Sequence, residues 1–432
     1  MARPYDLVVY GGSGFTGRLA AEYLARRYTA GGSDSSSETV RWAIAGRDRA
    51  KLDAVVQSIE RKHPHAKGKI DVLVGSDPAS LETLASKTNA LVSFAGPFAK
   101  VGMPVVDACV KCGTDYCDIT GEPTFIRDVV DKHDAAARAA GTCVVNCVGY
   151  DSAPWDLGAW AVSEWFASRG DVCEMARGHL GSAKGGVSGG TIASAIGLVA
   201  STPWKTLAAM ASPHFLSDAP PSDPNVLAKW KIQSGVAYDR DLGRWTMPSV
   251  MAGINAKVVA RSSAIARSPN GPYSPSFAYD ESDLCSGFLG AALGTAALAV
   301  FGGALMFPPA RWLLQATILP APGQGPSERL RETGFAHAYV VGEGRDPAAP
   351  KAVAHMEFKG ADPGYKGTAA LAVEAALCLA LPAEREKTPG RARGGGCLTP
   401  ATALGGALVE RMNKSDTLGF SVKPLADVVV RA

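Results

Sequence analysis

Residues 6–28 read as strand, glycine turn and helix, and this opening limits the fold more than any other stretch. Asp6-Leu7-Val8-Val9-Tyr10 is a short apolar run. Gly11-Gly12-Ser13-Gly14-Phe15-Thr16-Gly17 follows, with glycines at 11, 14 and 17. Residues 18–27 then carry Leu19, Tyr23 and Leu24 at helical spacing. Glycines at such a turn let the backbone approach a ligand closely. The helix start adds unpaired N–H groups and the positive end of its dipole, which suits a pyrophosphate. A glycine motif alone is weak evidence, but this one has the required strand before it and helix after it. Residues Gly11, Gly12, Ser13, Gly14, Phe15, Thr16 and Gly17 are therefore the candidate phosphate cradle.

The next strand, residues 40–45, ends in Gly46-Arg47. An acid at this point would hold a ribose 2′-hydroxyl, whereas an arginine accommodates a 2′-phosphate. Arg47 stands there, and the nearest acid, Asp48, comes one residue late. Gly46 and Arg47 thus point to NADP(H) rather than NAD(H). Between the two elements, residues 30–38 are rich in Gly and Ser and read as a surface insertion.

The same alternation continues. Strands are expected at 70–74, 90–95, 116–120 and 142–148, with helices at 50–61, 80–87, 104–112 and 125–140. Six strands alternating with helices over about 150 residues give a doubly wound α/β domain. Ligands in such sheets lie beyond the carboxyl ends of the strands. Ala95, Gly96, Pro97 and Phe98 follow the fourth strand and are expected to wall the cofactor. Tyr150 and Asp151 follow the sixth, and Asp118 and Glu122 flank the end of the fifth. These four are the candidate proton carriers. Asp151 as a helix cap and Glu122 as a loop-orienting group are the alternatives.

Composition bounds the rest. The chain has 432 residues, with 44 Lys plus Arg against 41 Asp plus Glu, a net charge of +3. That balance gives no support to a dedicated nucleic-acid binder. The nine cysteines are an odd number and mostly lie in apolar runs. Cys109-x-x-Cys112 has no second pair at zinc-ribbon spacing, so no metal site is expected. No H-E-x-x-H occurs. No apolar signal core precedes the first strand, so a cytosol-facing compartment is expected.

Several blocks resemble the saccharopine dehydrogenase-like oxidoreductases, on the branch with the mycobacterial trans-acting enoyl reductases and eukaryotic lipid-droplet-associated members. They are Val9–Gly17, Ala45-Gly46-Arg47, Ala95-Gly96-Pro97-Phe98, residues 113–122 ending in Thr-Gly-Glu, residues 149–156, Ser188-Gly189-Gly190-Thr191 and residues 396–405. The resemblance implies an N-terminal Rossmann domain at 1–152. It implies a second, inserted α/β (α+β) domain at 153–395 serving substrate or dimerisation. A C-terminal helix within 396–432 would return to the first domain. A homodimer is the family-level expectation.

Residues 284–310 hold no charged residue. The central stretch, 287–307, is long enough in helix to cross a bilayer core of about 30 Å. Its 21 residues include only nine Leu, Val, Phe and Met, against six Ala and five Gly. Three readings stay open: a membrane- or lipid-droplet-surface element, a buried or dimer-interface element, and a full span. The leading functional expectation is an NADPH-dependent reductase of a lipid-like, enoyl substrate at such a surface. The alternatives are an amino-acid C–N dehydrogenase, for which Arg177, Lys184 and Lys205 offer sparse carboxylate-binding charge, and a non-catalytic NADP-binding lipid-surface protein.

Overall fold

The short apolar runs of the first 150 residues all become parallel strands. The computed structural model describes residues 3–32, 38–186, 202–268, 271–307, 309–310, 312 and 325–431. The strands are β1 (Tyr5–Tyr10), β2 (Trp42–Gly46), β3 (Asp71–Val74), β4 (Thr88–Ser93), β5 (Asp115–Asp118) and β6 (Cys143–Val145). A seventh, β13 in chain order (Gly396–Leu398), completes the sheet in the order β13-β6-β5-β4-β1-β2-β3. β1 pairs on either side with β2 and β4, Val8 lying opposite Ala43 and Leu91. The strand order therefore reverses at β1, and the crevice between the ends of β1 and β4 is the expected ligand position.

Local chemistry sets the helices between these strands. They are α1 (Phe15–Tyr28), α2 (Arg49–Lys62), α3 (Pro78–Ala85), α4 (Phe98–Val101), α5 (Met103–Cys112) and α6 (Pro123–Ala140). Asp77 and Ser80 form a capping box before α3. Gly113 ends α5 in the left-handed conformation, and Gly141 does the same for α6.

The chain divides into two units, and neither is continuous in sequence. The first consists mainly of Met1–Tyr150 and Gly364–Thr417; the second takes Asp151–Pro322, Pro326–Pro363 and Leu418–Ala432. The expected boundaries at 153–395 and 396–432 are corrected accordingly. The helix Thr368–Ala380 belongs to the first unit, where it packs on α1, β4 and β5. Every residue in it is buried. An all-round apolar helix has no stripe from which its partner can be read. The helix Pro400–Lys414 packs on Thr368–Ala380. The last strand, β14 (Leu418–Pro424), instead joins the second sheet by pairing with β12.

That second sheet is mixed. β7 (Cys173–Lys184), β8 (Ala237–Asp239), β9 (Arg244–Pro248), β10 (Ala278–Cys285), β11 (Phe335–Gly344) and β12 (Ala352–Phe358) join β14 in the order β14-β12-β11-β7-β10-β9-β8. β7 and β10 run parallel, and the other neighbours are antiparallel. The helix Ala153–Ala167 packs on β7, β11 and β12. An apolar patch of Leu242, Tyr339, Val341 and Val353 is joined by Leu425, Val428 and Val430 from the C-terminal stretch. The Ser188–Thr191 block and the serines at 33–37 lie outside the described residues.

The uncharged segment forms a helix, Phe288–Met306. Its first turns touch the sheet: Trp245 stacks edge-on against Phe288 at 5.0 Å, and Ala291 is fully buried. Beyond that contact the apolar side chains are uncovered, with Leu293 63% and Val300 74% exposed. Among the described residues nothing covers these side chains. Among the described residues it is the one helix long and apolar enough to cross a membrane.

Candidate active site

The turn after β1 is closed by backbone packing. Gly11 has a φ of +77°, and a Cβ there would lie 2.7 Å from the amide nitrogen of Ala95. Gly17 brings α1 against the turn itself, since a Cβ on it would sit 2.3 Å from the Gly11 carbonyl oxygen. The amides of Gly11 and Gly12 both donate to the Ala45 carbonyl, and Gly14 donates to Gly11. Helix α1 starts at Phe15 with Gly14 as its cap residue, and no side chain caps it. The positive end of the α1 dipole, with the exposed Ser13 beside it, faces the turn. A cradle that any side chain would fill, ending on an uncapped helix start, fits a dinucleotide pyrophosphate.

The end of β2 sorts its charges. Asp48 caps α2 by accepting from the Lys51 amide at 3.1 Å, and its other oxygen lies 3.4 Å from Lys51 Nζ. Arg49 pairs with Asp53 at 2.9 Å. Arg47 is exposed, and among the described residues no carboxylate is paired with it. Its charge reaches the Tyr10 phenol, where it opposes the upward push of burial. The one acid near the ribose position is therefore spent on a helix cap, and the cation at the strand end is free for a 2′-phosphate.

Asp118 and Glu122 are both committed inside the first unit. The Phe98 amide donates to Glu122 Oε1 at 2.9 Å and the Ala99 amide to Oε2 at 2.8 Å. Glu122 thereby caps α4 from across the turn and fixes the backbone of Ala95-Gly96-Pro97-Phe98. Asp118 accepts from Tyr116 Oη at 2.9 Å and Asn146 Nδ2 at 2.8 Å on one oxygen. Its other oxygen accepts from the Thr120 amide at 3.1 Å and the Cys147 amide at 3.4 Å. Burial pushes its carboxyl up to about 6, while these donors pull it down. The oxygens of both residues, expected as proton carriers, already serve the ends of β5, β6 and the turn before α4.

Tyr150 and Asp151 differ from them. The Tyr150 amide donates to Thr368 Oγ1 at 3.1 Å, anchoring the end of the first segment to a residue 218 positions later. No local sequence signal could have found Thr368. Asp151 does not cap the helix after it; Ser152 occupies the cap position, without a side-chain bond. Desolvation pushes the Asp151 carboxyl up to about 6. A carboxyl so shifted stays protonated closer to neutrality than an ordinary aspartate, which is what a proton donor needs.

Two of the three expected carboxylate-binding charges of the second unit are engaged, and Lys205 is exposed. Arg177 pairs with Asp241 and, at 2.9 Å, with Glu343. Lys184 donates to Thr333 Oγ1 at 2.9 Å. All nine cysteines are unpaired, and among the described residues no group of three or more His, Cys, Asp or Glu is arranged to hold a metal ion.

A parallel sheet reversing at β1, a glycine cradle against α1 and a free arginine at the end of β2 define an NADP(H)-dependent oxidoreductase domain. Residues 7–145 match the family described as the saccharopine dehydrogenase NADP-binding domain. Over 425 residues the chain is 30% identical to a protein of Mycobacterium bovis named trans-acting enoyl reductase, covering 95% of this chain and 96% of that one. A Mycobacterium tuberculosis relative, whose name carries the same activity provisionally, is 33% identical over 426 residues, with the same coverage. Yeast saccharopine dehydrogenase aligns over 96% of this chain and 99% of its own, at 13% identity and a TM-score of 0.49. The chain belongs to the saccharopine dehydrogenase-like family of NADP-binding oxidoreductases.

Proposed function

We propose that the chain reduces the activated double bond of an enoyl group on a lipid-like substrate, and that it works at the cytosolic face of a membrane or lipid droplet. The observation that carries the reductase reading is the glycine cradle of residues 11–17 with the uncommitted Arg47 beside it. NADPH, when bound, supplies the hydride. Gly11–Gly17 would hold its pyrophosphate and Arg47 its 2′-phosphate, with the turn at Ala95–Phe98 held rigid by Glu122. The saturated product also needs one proton on the neighbouring carbon. Asp151, raised to about 6, is the group this chain offers for it, with the Tyr150 hydroxyl next in sequence. The names carried by the mycobacterial relatives support an enoyl substrate.

The lipid surface is supported by the bare helix Phe288–Met306. Fully burying a Leu, Val or Phe side chain contributes about 1.5–3 kcal/mol. Leu289, Leu293, Val300 and Phe301 together offer several times that to an apolar medium. The helix has no charged face, which suits insertion better than a flat interfacial position.

Calorimetric titration with NADPH and NADH tests the cofactor site. Arg47→Ala should weaken NADPH about tenfold or more and leave NADH unchanged. Equal affinity of the wild type for both cofactors would remove the Arg47 assignment. Enoyl thioesters of increasing chain length, followed by NADPH oxidation, test the substrate; turnover of imines but not enoyl groups would overturn it. Flotation with phospholipid vesicles tests the surface. Leu293→Asp with Val300→Asp should abolish flotation, whereas a wild type that stays unbound and instead dimerises through this helix would refute the lipid reading.

A further inference from the structure

Residues 364–368 belong to the first unit and touch two of its strand ends. Tyr365 meets Phe15 of the glycine turn edge-on, with ring centroids 5.2 Å apart. Three residues on, Thr368 Oγ1 accepts the Tyr150 amide at 3.1 Å. Both side chains are buried. A Cβ on Gly149 would lie 3.1 Å from the Thr368 methyl carbon, so the two backbones are closely apposed there. We propose that Thr368 is a positioning residue for the reaction: its hydroxyl holds the Tyr150–Asp151 turn where the proton is delivered. The proposal rests on the reductase reading above, in which Asp151 gives that proton.

The turn that Thr368 grips is strained. Among the described residues Cys147 is the one non-glycine residue in the left-handed region, with a φ of +64°. Such a backbone is unfavourable for an L side chain and persists where its surroundings over-determine it. Here the surroundings act from two sides. On the β5 side, Asp118 accepts from Asn146 Nδ2 at 2.8 Å and from the Cys147 amide at 3.4 Å, and its carbonyl accepts the Val148 amide at 2.9 Å. On the other side, Thr368 takes Gly149 and Tyr150. The β5 contacts tie the turn to a neighbouring strand of the sheet. Thr368 alone ties it to a segment that also packs on the cofactor cradle, through Tyr365 and Phe15.

Proton delivery gives that tie its use. In the reduction the carbon–carbon π bond breaks; one carbon receives the hydride from NADPH and its neighbour receives the proton of the Asp151 carboxyl. NADP⁺ and a carboxylate are left, and water returns a proton to the carboxylate. Acid and acceptor carbon must come within close reach, so a displacement of about 1 Å is felt in the rate. The pyrophosphate cradle makes its own contacts and needs nothing from the Thr368 hydroxyl. Loss of that hydroxyl should therefore slow turnover without loosening the cofactor.

The test is steady-state reduction of an enoyl thioester by the full chain in water and in deuterium oxide, with calorimetric titration of NADPH. Thr368→Val keeps the shape of the side chain and removes the acceptor oxygen; Thr368→Ser keeps the oxygen. Thr368→Val should lower kcat by about tenfold or more, raise the solvent isotope effect on kcat and leave the NADPH Kd within about twofold. Thr368→Ser should restore most of kcat. Thermal melts establish folding, and Thr368→Ala replaces the valine variant if that one does not fold. An unchanged kcat, a kcat loss with no rise in the isotope effect, a parallel loss of NADPH affinity, or a serine variant as slow as valine would each overturn the proposal and leave the reductase reading in place. A wild type that binds NADPH and reduces no enoyl thioester would overturn that reading, and the proposal with it.

Discussion

The two seven-stranded sheets place their polar groups in opposite ways. In the parallel sheet the inner strands are sealed: Leu7, Val8 and Val9 of β1 are all fully buried, and the chemistry sits at strand ends. In the mixed sheet, charged and polar groups stand in mid-strand, as Arg177 and His179 on β7 or Asp280 and Ser282 on β10. A parallel sheet covered by helices on both faces has room for ligands only beyond its edges. A sheet with one face partly open to water can keep charges along its length. The first sheet therefore depends on tight packing near its ligand, and the second on the balance of its charges.

The sharpest way to break this contrast is Gly17→Val. Its side chain would collide with the Gly11 backbone, so stability should drop by about 3 kcal/mol or more and NADPH binding should vanish. A folded variant with normal NADPH affinity, in denaturant melts and titration, would show that the cradle is not closed as described. Asp118 gives a somewhat smaller, pH-dependent effect. Its folded pKa of about 6 lies above the ordinary 3.8. The folded state thus holds the proton more tightly, a contribution complete below 3.8 and lost as pH rises through 6. Measured as wild type minus Asp118→Asn, unfolding free energy should fall by about 2–3 kcal/mol across that window. A constant difference would mean that the carboxyl titrates normally. The smallest effect belongs to the second sheet. Lys351 is about a third exposed, so Lys351→Ala should cost only about 0–1 kcal/mol despite its two carboxylate partners. A loss several times larger would make the second sheet as tightly packed as the first.

The same contrast explains what the sequence disclosed. β1 to β6 and α1 to α6 are local: apolar runs, glycine stops and caps such as Asp77 or Gly113 mark them residue by residue. The cradle and Arg47 belong to that local grammar. Glu122 could be named as a loop-orienting group, but its grip on the Phe98 and Ala99 amides needed the fold. The helix Thr368–Ala380 was hidden because, Thr368 and Glu374 apart, it is apolar on every face. The clustering of Asp239 and Asp241 with Asp280 and Glu343 was hidden because the β8 end and its turn, β10 and β11 meet only through the order of a mixed sheet, which no short pattern specifies. A trace existed in the alternation of Arg177 with His179, which places two polar side chains on one face of an extended segment.

β13 is an edge of one sheet and β14 an edge of the other, and both come from the last forty residues. During synthesis, then, β6 and β12 lack their outer neighbours until residues 396–424 are made, and a stop before them would bare both strands at once. Unpaired strand borders invite pairing with other chains. Chains cut before residue 396 should therefore aggregate, and chaperones should engage the nascent polypeptide until those strands dock.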